Sequence, residues 1–345
     1  MSQVRLGKTE IVVNKNGFGA LPIQRISFEA AEDLILTALE NGVTYFDTAR
    51  AYTDSEEKLA YAFRKNNVPR ESIYIASKTM ATDAEGFWAD LHKSLELLET
   101  DYIDVYQLHN PAFCPRPGGA DGLYDACLEA KEQGLIRHIA ITNHQIAIAE
   151  EIVESGLYEL LQFPFNYLSS DRDIALAAKC KEADMGFVAM KGMSGGLINK
   201  ADVAYAFINE YDNVLPIWGV QHMWELKEFL ECGKNEPVYD EAMAAFVAEE
   251  RKQLAGDFCR GCGYCMPCPV DIRINDCARM SLLIRRAPTE VYMNDFFQGE
   301  MQKIKDCLHC GQCSSKCPYQ LDTPALLEKN LEDYEKALAA RDESK

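Results

Sequence analysis

Short β-like runs alternate with amphipathic helical stretches through the first two thirds of the chain, and this alternation limits the fold more than any other feature. GFGAL precedes FEAAEDLILTALENG, TYFDT precedes EEKLAYAFRKN, IYIASK precedes FWADLHKSLELLET, and IDVYQLH precedes GLYDACLEAKEQG. The beat continues through IRHIAIT, LLQFPFN, GFVAMK and NVLPIWG, with IAIAEEIVES, RDIALAAKCKEA and ADVAYAFINE between them. About eight strand and helix units predict an α/β chain whose parallel sheet closes as a (β/α)8 TIM barrel. An open doubly wound sheet is the alternative, but the Gly-rich turn that usually follows its first strand is missing. Two earlier runs, VRLG and EIVV, are expected to pair as a hairpin over the barrel bottom.

At 345 residues the chain exceeds one ordinary core, so a large domain with a small appendage is expected. The pattern changes near Glu236. YDEAMAAFVAEERKQL reads as a helix leading into a cysteine block, and KNLEDYEKALAARDESK as a closing charged helix. These shifts predict a barrel over residues 1–235, a helical linker over 236–254 and a small, mainly helical domain over 255–345. A formal charge of −19 argues against nucleic acid or anionic lipid as a partner, since both require clustered Lys and Arg. No apolar run approaches the roughly 20 residues that cross a bilayer, and MSQVRLGKTE lacks the apolar centre of a signal peptide. A cytoplasmic protein is expected.

Chemistry in such a barrel sits at the carboxyl ends of the strands. Asp47 ends TYFDT, Tyr52 follows one loop later, Lys78 ends IYIASK and His109 ends IDVYQLH. Three neighbouring strands would aim these side chains into one mouth. A nearby ammonium lowers the pKa of a phenol, so Lys78 is expected to acidify Tyr52. Asp47 would hold Lys78 by an ion pair, and His109 would orient a substrate oxygen. Each of the four also has a structural reading, as a helix cap, a rim charge, a packed ring or a satisfied imidazole.

FDTARAYTDSEEKL, the SK of IASK and the LH of YQLH resemble the active-site motifs of the aldo-keto reductases. The resemblance covers about residues 4 to 232, with VRLGKTEIVV like the family's opening hairpin and GLIRHIAITNH like its fifth strand. It implies a (β/α)8 barrel and reversible carbonyl reduction by NADPH or NADH, with Tyr52, Lys78, Asp47 and His109 as the catalytic tetrad. Tyr52 would protonate the nascent alkoxide. It also implies cofactor contacts at Asp47, Thr142, Asn143, Gln162, Met190, Lys191, Gly192, Ser194, Gly195, Gly196 and Leu197, and at Gly219, Val220 and Gln221 on the adenosine side. A flexible Gly-rich loop is the alternative for KGMSGGLI. IWGVQHMWEL replaces the family's usual Lys, Ser and Arg of the 2′-phosphate site, which leaves the choice between NADPH and NADH open.

Of thirteen cysteines, Cys114, Cys127, Cys180 and Cys232 are scattered, and nine fall between Cys259 and Cys317. Such crowding in a reducing compartment suggests metal rather than disulfides. Cys259, Cys262, Cys265 and Cys268 form one run, and Cys307, Cys310, Cys313 and Cys317 a second. A triplet at two-residue gaps followed by Cys-Pro is the cubane pattern of two-cluster ferredoxins, where the last cysteine serves the other cluster. Crossed ligation of two 4Fe-4S clusters is therefore expected: Cys259, Cys262, Cys265 and Cys317 for one, and Cys307, Cys310, Cys313 and Cys268 for the other. Tetrahedral zinc is the alternative. Cys277 reads as a packed helix residue or a spare ligand. The block resembles the ferredoxin-like dicluster domain attached to one branch of aldo-keto reductases, in which ITNH, QFPFN and AMKGMSGG also have counterparts.

A cubane passes single electrons and a nicotinamide passes a hydride, so the two halves do not couple directly. Ordinary nicotinamide chemistry on a small-molecule carbonyl beside structural clusters is the first reading. A ferredoxin-like or flavin-containing donor feeding electrons through the clusters is the second, and a non-catalytic electron-transfer or interaction subunit the third. The loop NPAFCPRPGGADG is expected to shape the substrate pocket, with Phe18, Tyr52 and Trp88 or Trp218 as aromatic walls or as packing.

Overall fold

The computed structural model describes residues 1–254, 258–286 and 289–343. They divide into two compact units, Met1–Gly192 with Lys200–Ala244, and Met193–Asn199 with the chain from Ala245 onward.

The first unit opens with an antiparallel hairpin of β1 (Gln3–Arg5) and β2 (Val12–Asn14), with Val4 opposite Val13. The strand and helix units follow as β3 (Gly17–Gly19) and α1 (Phe28–Glu40), β4 (Tyr45–Asp47) and α2 (Ser55–Lys65), β5 (Tyr74–Thr79) and α3 (Ala84–Leu98), β6 (Ile103–His109) and α4 (Leu123–Glu132). After them come β7 (Ile136–Thr142) and α5 (Ile146–Ser155), β8 (Leu160–Pro164) and α6 (Asp171–Glu182), β9 (Gly186–Met190) and α7 (Ala201–Asn209), β10 (Val214–Gly219) and α8 (Met223–Lys234). Strands β3 to β10 run parallel in chain order, and β10 pairs with β3 to close the barrel. This is the (β/α)8 fold that the alternation predicts. Side-chain caps start several helices: Ser27 accepts from the Ala30 N–H, Asp83 from Gly86, and Ser170 and Asp173 form a reciprocal box before α6.

The barrel interior explains where the polar groups go. Val4, Leu6, Ile11 and Val13 of the hairpin region share one buried cluster with inward residues of the strands, including Tyr45, Ala76, Val105, Ala140, Leu160 and Val188. The hairpin thus plugs the barrel bottom with apolar side chains. Strand side chains alternate with period two. Two residues beyond each of those six positions stand Asp47, Lys78, Gln107, Thr142, Gln162 and Met190, which form the next layer toward the carboxyl ends.

The second unit is helical, with α9 (Glu241–Gln253), α10 (Ile274–Cys277), α11 (Met280–Arg286), α12 (Thr289–Tyr292), α13 (Asp295–Gln302), α14 (Gln312–Ser315) and α15 (Thr323–Glu343). Helix α15 packs against α10, α11, α13 and α14. Their core includes Cys277, Met280, Met301, Leu327 and Tyr334, together with Leu197 from the segment after β9. The expected linker over 236–254 contains the whole of a regular helix, α9, and the boundary between units falls inside that helix. Among the described residues, no helix is long and apolar enough to cross a membrane.

Candidate functional site

Asp47 and His109 close β4 and β6, and Lys78 stands one residue before the end of β5. Lys78 Nζ donates to Asp47 Oδ1 at 2.7 Å and to the Thr48 carbonyl at 2.6 Å, with both charged side chains buried. Tyr52 rides in the turn between β4 and α2. That turn is fixed by hydrogen bonds from Arg50 N to Lys78 O (3.0 Å), Tyr52 N to Ala49 O (2.9 Å) and Ser55 N to Tyr52 O (2.9 Å). Arg50 also pairs with Glu56, which accepts from Ser77 Oγ at 2.6 Å. Lys78 Nζ lies 4.9 Å from the Tyr52 ring centre, and the His109 ring meets that ring edge-on at 5.9 Å. The structure therefore gathers all four tetrad residues.

The electrostatics differ from the expectation in one respect. Lys78 does not acidify Tyr52 here. Burial, reinforced by the Asp47 carboxylate, drives the phenol well above its ordinary value, while the Lys78 ammonium makes its hydrogen bonds to Asp47 and Thr48. Tyr52 is thus held as the protonated phenol. Burial also pushes the Asp47 carboxyl up and the Lys78 ammonium down, and their mutual attraction opposes both changes. His109 is pushed down to about 3, first by burial and then by Lys78, so its imidazole is neutral at physiological pH.

Gln107, which lies outside the expected tetrad, also belongs to this cluster. Its Nε2 donates to Asp47 Oδ2 at 3.2 Å and to Gln162 Oε1 at 2.9 Å, while Gln162 Nε2 faces Asp47 Oδ1 at 3.4 Å. The signal was present in IDVYQLH: Gln107 and His109 are two apart on one strand and so face the same way.

The expected cofactor contacts fall into two groups. Thr142, Gln162, Met190 and Gly219 lie along adjoining strand ends of the barrel, with Thr142 registered against Gln162. Asn143 Nδ2 donates to the Pro111 carbonyl at 2.9 Å, and its Oδ1 accepts from Gln145 N at 2.8 Å. Lys191 adopts a positive φ of 61° and its carbonyl accepts from Asn166 Nδ2. Gly192 lies flush on Trp218, where an added Cβ would stand 2.4 Å from the indole. Val220 is buried and Gln221 donates its N–H to Glu225 Oε2. Ser194, Gly195, Gly196 and Leu197 instead belong to the second unit: Leu197 is fully buried in its core, and Gly195 O accepts from Arg279 Nη1 at 2.6 Å. Phe18 packs on Phe46, Trp88 on His92 and Trp218 on Phe229.

Two cavities occur among the cysteines. One is lined by Cys259, Cys262, Cys265 and Cys317. The other is lined by Cys268, Cys307, Cys310 and Cys313, with Cys265 on the shared wall. Each cavity thus combines three cysteines of one run with at least one of the other, Cys317 in the first and Cys268 with Cys265 in the second. Among the described residues, no three His, Cys, Asp or Glu side chains converge on a point suited to a single metal ion. The cysteines surround a volume instead, which fits a cubane better than tetrahedral zinc. At the first cavity Gly261 N donates to Cys259 Sγ at 3.3 Å, and the Arg279 guanidinium packs on Gly261, whose φ is +64°. Cys277 lines neither cavity; its thiol is buried and faces the Glu300 carbonyl at 3.7 Å.

The family model for the Aldo/keto reductase family matches residues 15–213. The chain belongs to the aldo/keto reductase family. In this aldo/keto reductase a 4Fe-4S dicluster domain follows, matched over residues 258–322. An aldo-keto reductase of Mycobacterium avium is 31% identical over 137 residues, which are 39% of this chain and 46% of that protein. The methylglyoxal reductase DkgB of Salmonella typhi is 35% identical over 136 residues, 37% of this chain and 49% of that protein. The match thus spans about half the length of these relatives. Among solved structures, an aldo-keto reductase of Bacillus halodurans in its holo form superposes with a TM-score of 0.63 at 18% identity, covering 72% of this chain and 96% of that one. One from Klebsiella pneumoniae in complex with NADPH gives 0.61 at 18% identity, over 72% and 94%. These two likenesses establish the barrel fold.

Proposed function

We propose that this chain is an oxidoreductase that reversibly reduces a small-molecule carbonyl compound at the barrel mouth, using NADPH or NADH, with Tyr52 as general acid. The observation that carries this reading is the convergence of Tyr52, His109 and the buried Lys78–Asp47 pair at neighbouring strand ends. Neutral His109 would hold and orient the carbonyl oxygen. The Tyr52 phenol, kept protonated by burial, stands ready to hand its proton to that oxygen as negative charge develops. Lys78 and Asp47 place a cation beside the ring and stabilise the phenolate left behind. Thr142, Asn143, Gln162 and Met190 would hold the nicotinamide half, which supplies the hydride when bound, and Gly219, Val220 and Gln221 the adenosine half. Ser194, Gly195, Gly196 and Leu197 are assigned to pyrophosphate on the family pattern alone.

Cys259, Cys262, Cys265 and Cys317 would hold one 4Fe-4S cluster, and Cys307, Cys310, Cys313 and Cys268 the other, supplying one-electron capacity when loaded. A second reading has a ferredoxin-like or flavin-containing donor deliver electrons there. It is favoured by the exposure of Cys310 and of Leu308 beside it, since an exposed edge is where a carrier can approach.

Anaerobically purified protein is the test. Oxidation of NADPH or NADH with an aldehyde or ketone, lost by about 100-fold to 10,000-fold in Tyr52→Phe, is expected. Undiminished turnover in that variant would overturn the assignment. Turnover driven by reduced ferredoxin without nicotinamide would favour the second reading.

A further inference from the structure

The tetrad leaves one buried polar side chain without a role. Gln107 is fully buried, comes from the same strand face as His109, and spends both N–H groups on site residues, one on Asp47 Oδ2 and one on Gln162 Oε1. Beneath it lies the apolar plug of Val105, Ala140 and Leu160. A leucine would fill that place at no polar cost, whereas a buried amide is expensive unless its hydrogen bonds matter.

We propose that Gln107 is a fifth member of the site, a positioning residue that keeps the Asp47 carboxylate charged and fixes the amide of Gln162. The proposal rests on the carbonyl-reductase reading of the same site and deepens it. Asp47 and Lys78 are buried together, and a pair so placed can relieve its desolvation cost by moving one proton from ammonium to carboxylate. Lys78 would then lose the charge that stabilises the Tyr52 phenolate. Hydrogen bonds donated to the ionised carboxylate oppose that transfer. Oδ1 has Lys78 at 2.7 Å and Gln162 at 3.4 Å, whereas Oδ2 has Gln107. The same amide settles which way Gln162 faces, because its second N–H requires the Gln162 oxygen as acceptor. One glutamine therefore sets both the charge state of the pair and the orientation of an expected nicotinamide contact.

The charged and titratable groups around this network are few. Asp47 faces Lys78 from β5, Tyr45 from its own strand and Tyr52 from the following turn. Lys78 faces Glu56 from α2 and His109 from β6. Tyr45 and Tyr52 stay protonated and His109 stays neutral under ordinary conditions, so the pH response of the network belongs to Asp47 and Lys78.

Gln107→Met, close in volume, tests this, with Gln107→Asn as a second variant that keeps an amide too short to span both partners. Asp47 protonation is followed by carboxyl 13C NMR on aspartate-labelled protein, assigned with Asp47→Asn, and the pH profile of kcat/KM is measured in parallel. The acidity constant of Asp47 should fall at least tenfold in either variant that folds, and the acid limb of kcat/KM should move up to match. A merely structural glutamine would lower Tm and leave both midpoints where they are, which would overturn the proposal. Should the protein reduce no carbonyl at all, the functional reading fails while the Asp47 titration still decides the role of Gln107.

Discussion

The ammonium of Lys78 stands 4.9 Å from the centre of the Tyr52 ring, yet its hydrogen bonds go to Asp47 and to the Thr48 carbonyl. The cation is thus held by Asp47 and the Thr48 carbonyl and is only presented to the Tyr52 ring. In the resting site burial outweighs its influence and Tyr52 keeps its proton. On the proposed acid role of Tyr52, the attraction would grow in importance once negative charge forms on the phenol, which is where stabilisation accelerates a reaction.

Removing one member of the buried pair should cost more than activity. Lys78→Met leaves the Asp47 carboxylate buried without its cation, and breaking such pairs costs about 3–5 kcal/mol. Urea unfolding should show a loss of that order, and the double variant Asp47→Asn with Lys78→Met should recover part of it.

His109 gives a pH dependence with a definite sign. Its pKa is about 3 when folded and close to 6.5 when the chain is open. Between these values the unfolded chain binds the extra proton, so stability contributed by neutral His109 is present above pH 6.5 and is lost as pH falls toward 3. Denaturation midpoints should decline across that window less steeply in His109→Gln. The kcat/KM profile should show no break near pH 6.5 from this residue.

Crossed ligation can be told from uncrossed by pairing variants. Cys317→Ala should remove the same electron paramagnetic resonance signal as Cys259→Ala, and Cys268→Ala the same signal as Cys307→Ala. Each single variant should retain about half the iron of the parent protein. Loss of a common signal in Cys317→Ala and Cys307→Ala would refute the crossed arrangement.

Arg279 and Gly261 should tune the first of these centres. Gly261→Ala would place a Cβ 2.7 Å from the guanidinium at a positive φ, so iron content should fall through loss of the cluster near Cys259. Arg279→Gln removes a positive charge beside the same loop, and a redox titration should show that cluster becoming harder to reduce, because reduction adds negative charge. An unchanged midpoint potential would count against this role for Arg279.

Much of this architecture could be read from residue order. The barrel was legible because parallel strands covered on both faces write mainly apolar runs between amphipathic helices, as in IYIA and GFVAM. Asp47, Lys78 and His109 were legible because strand ends are where such a barrel keeps its polar groups. The protonation of Tyr52 was not, since residue order shows that a lysine is near but not that its charge is already committed and its surroundings dry. Gln107 escaped notice because a glutamine inside a strand looks the same whether it meets water or a buried carboxylate. The segment Met193–Asn199 was read with the barrel it follows, yet Leu197 and Gly195 make their packing and hydrogen-bond commitments to the helical unit. Such long-range choices leave no local mark.

The interleaving of the two cysteine runs has a consequence for how the protein is made. A nascent polypeptide that has emerged only through Cys268 possesses three walls of one cage and a single corner of the other, with the residues up to Cys307 still to be synthesised. Neither cage can be closed before the final run leaves the ribosome. On the proposed ligand assignment, cluster assembly would therefore wait for both cysteine runs, and each finished centre would rivet distant parts of the sequence together.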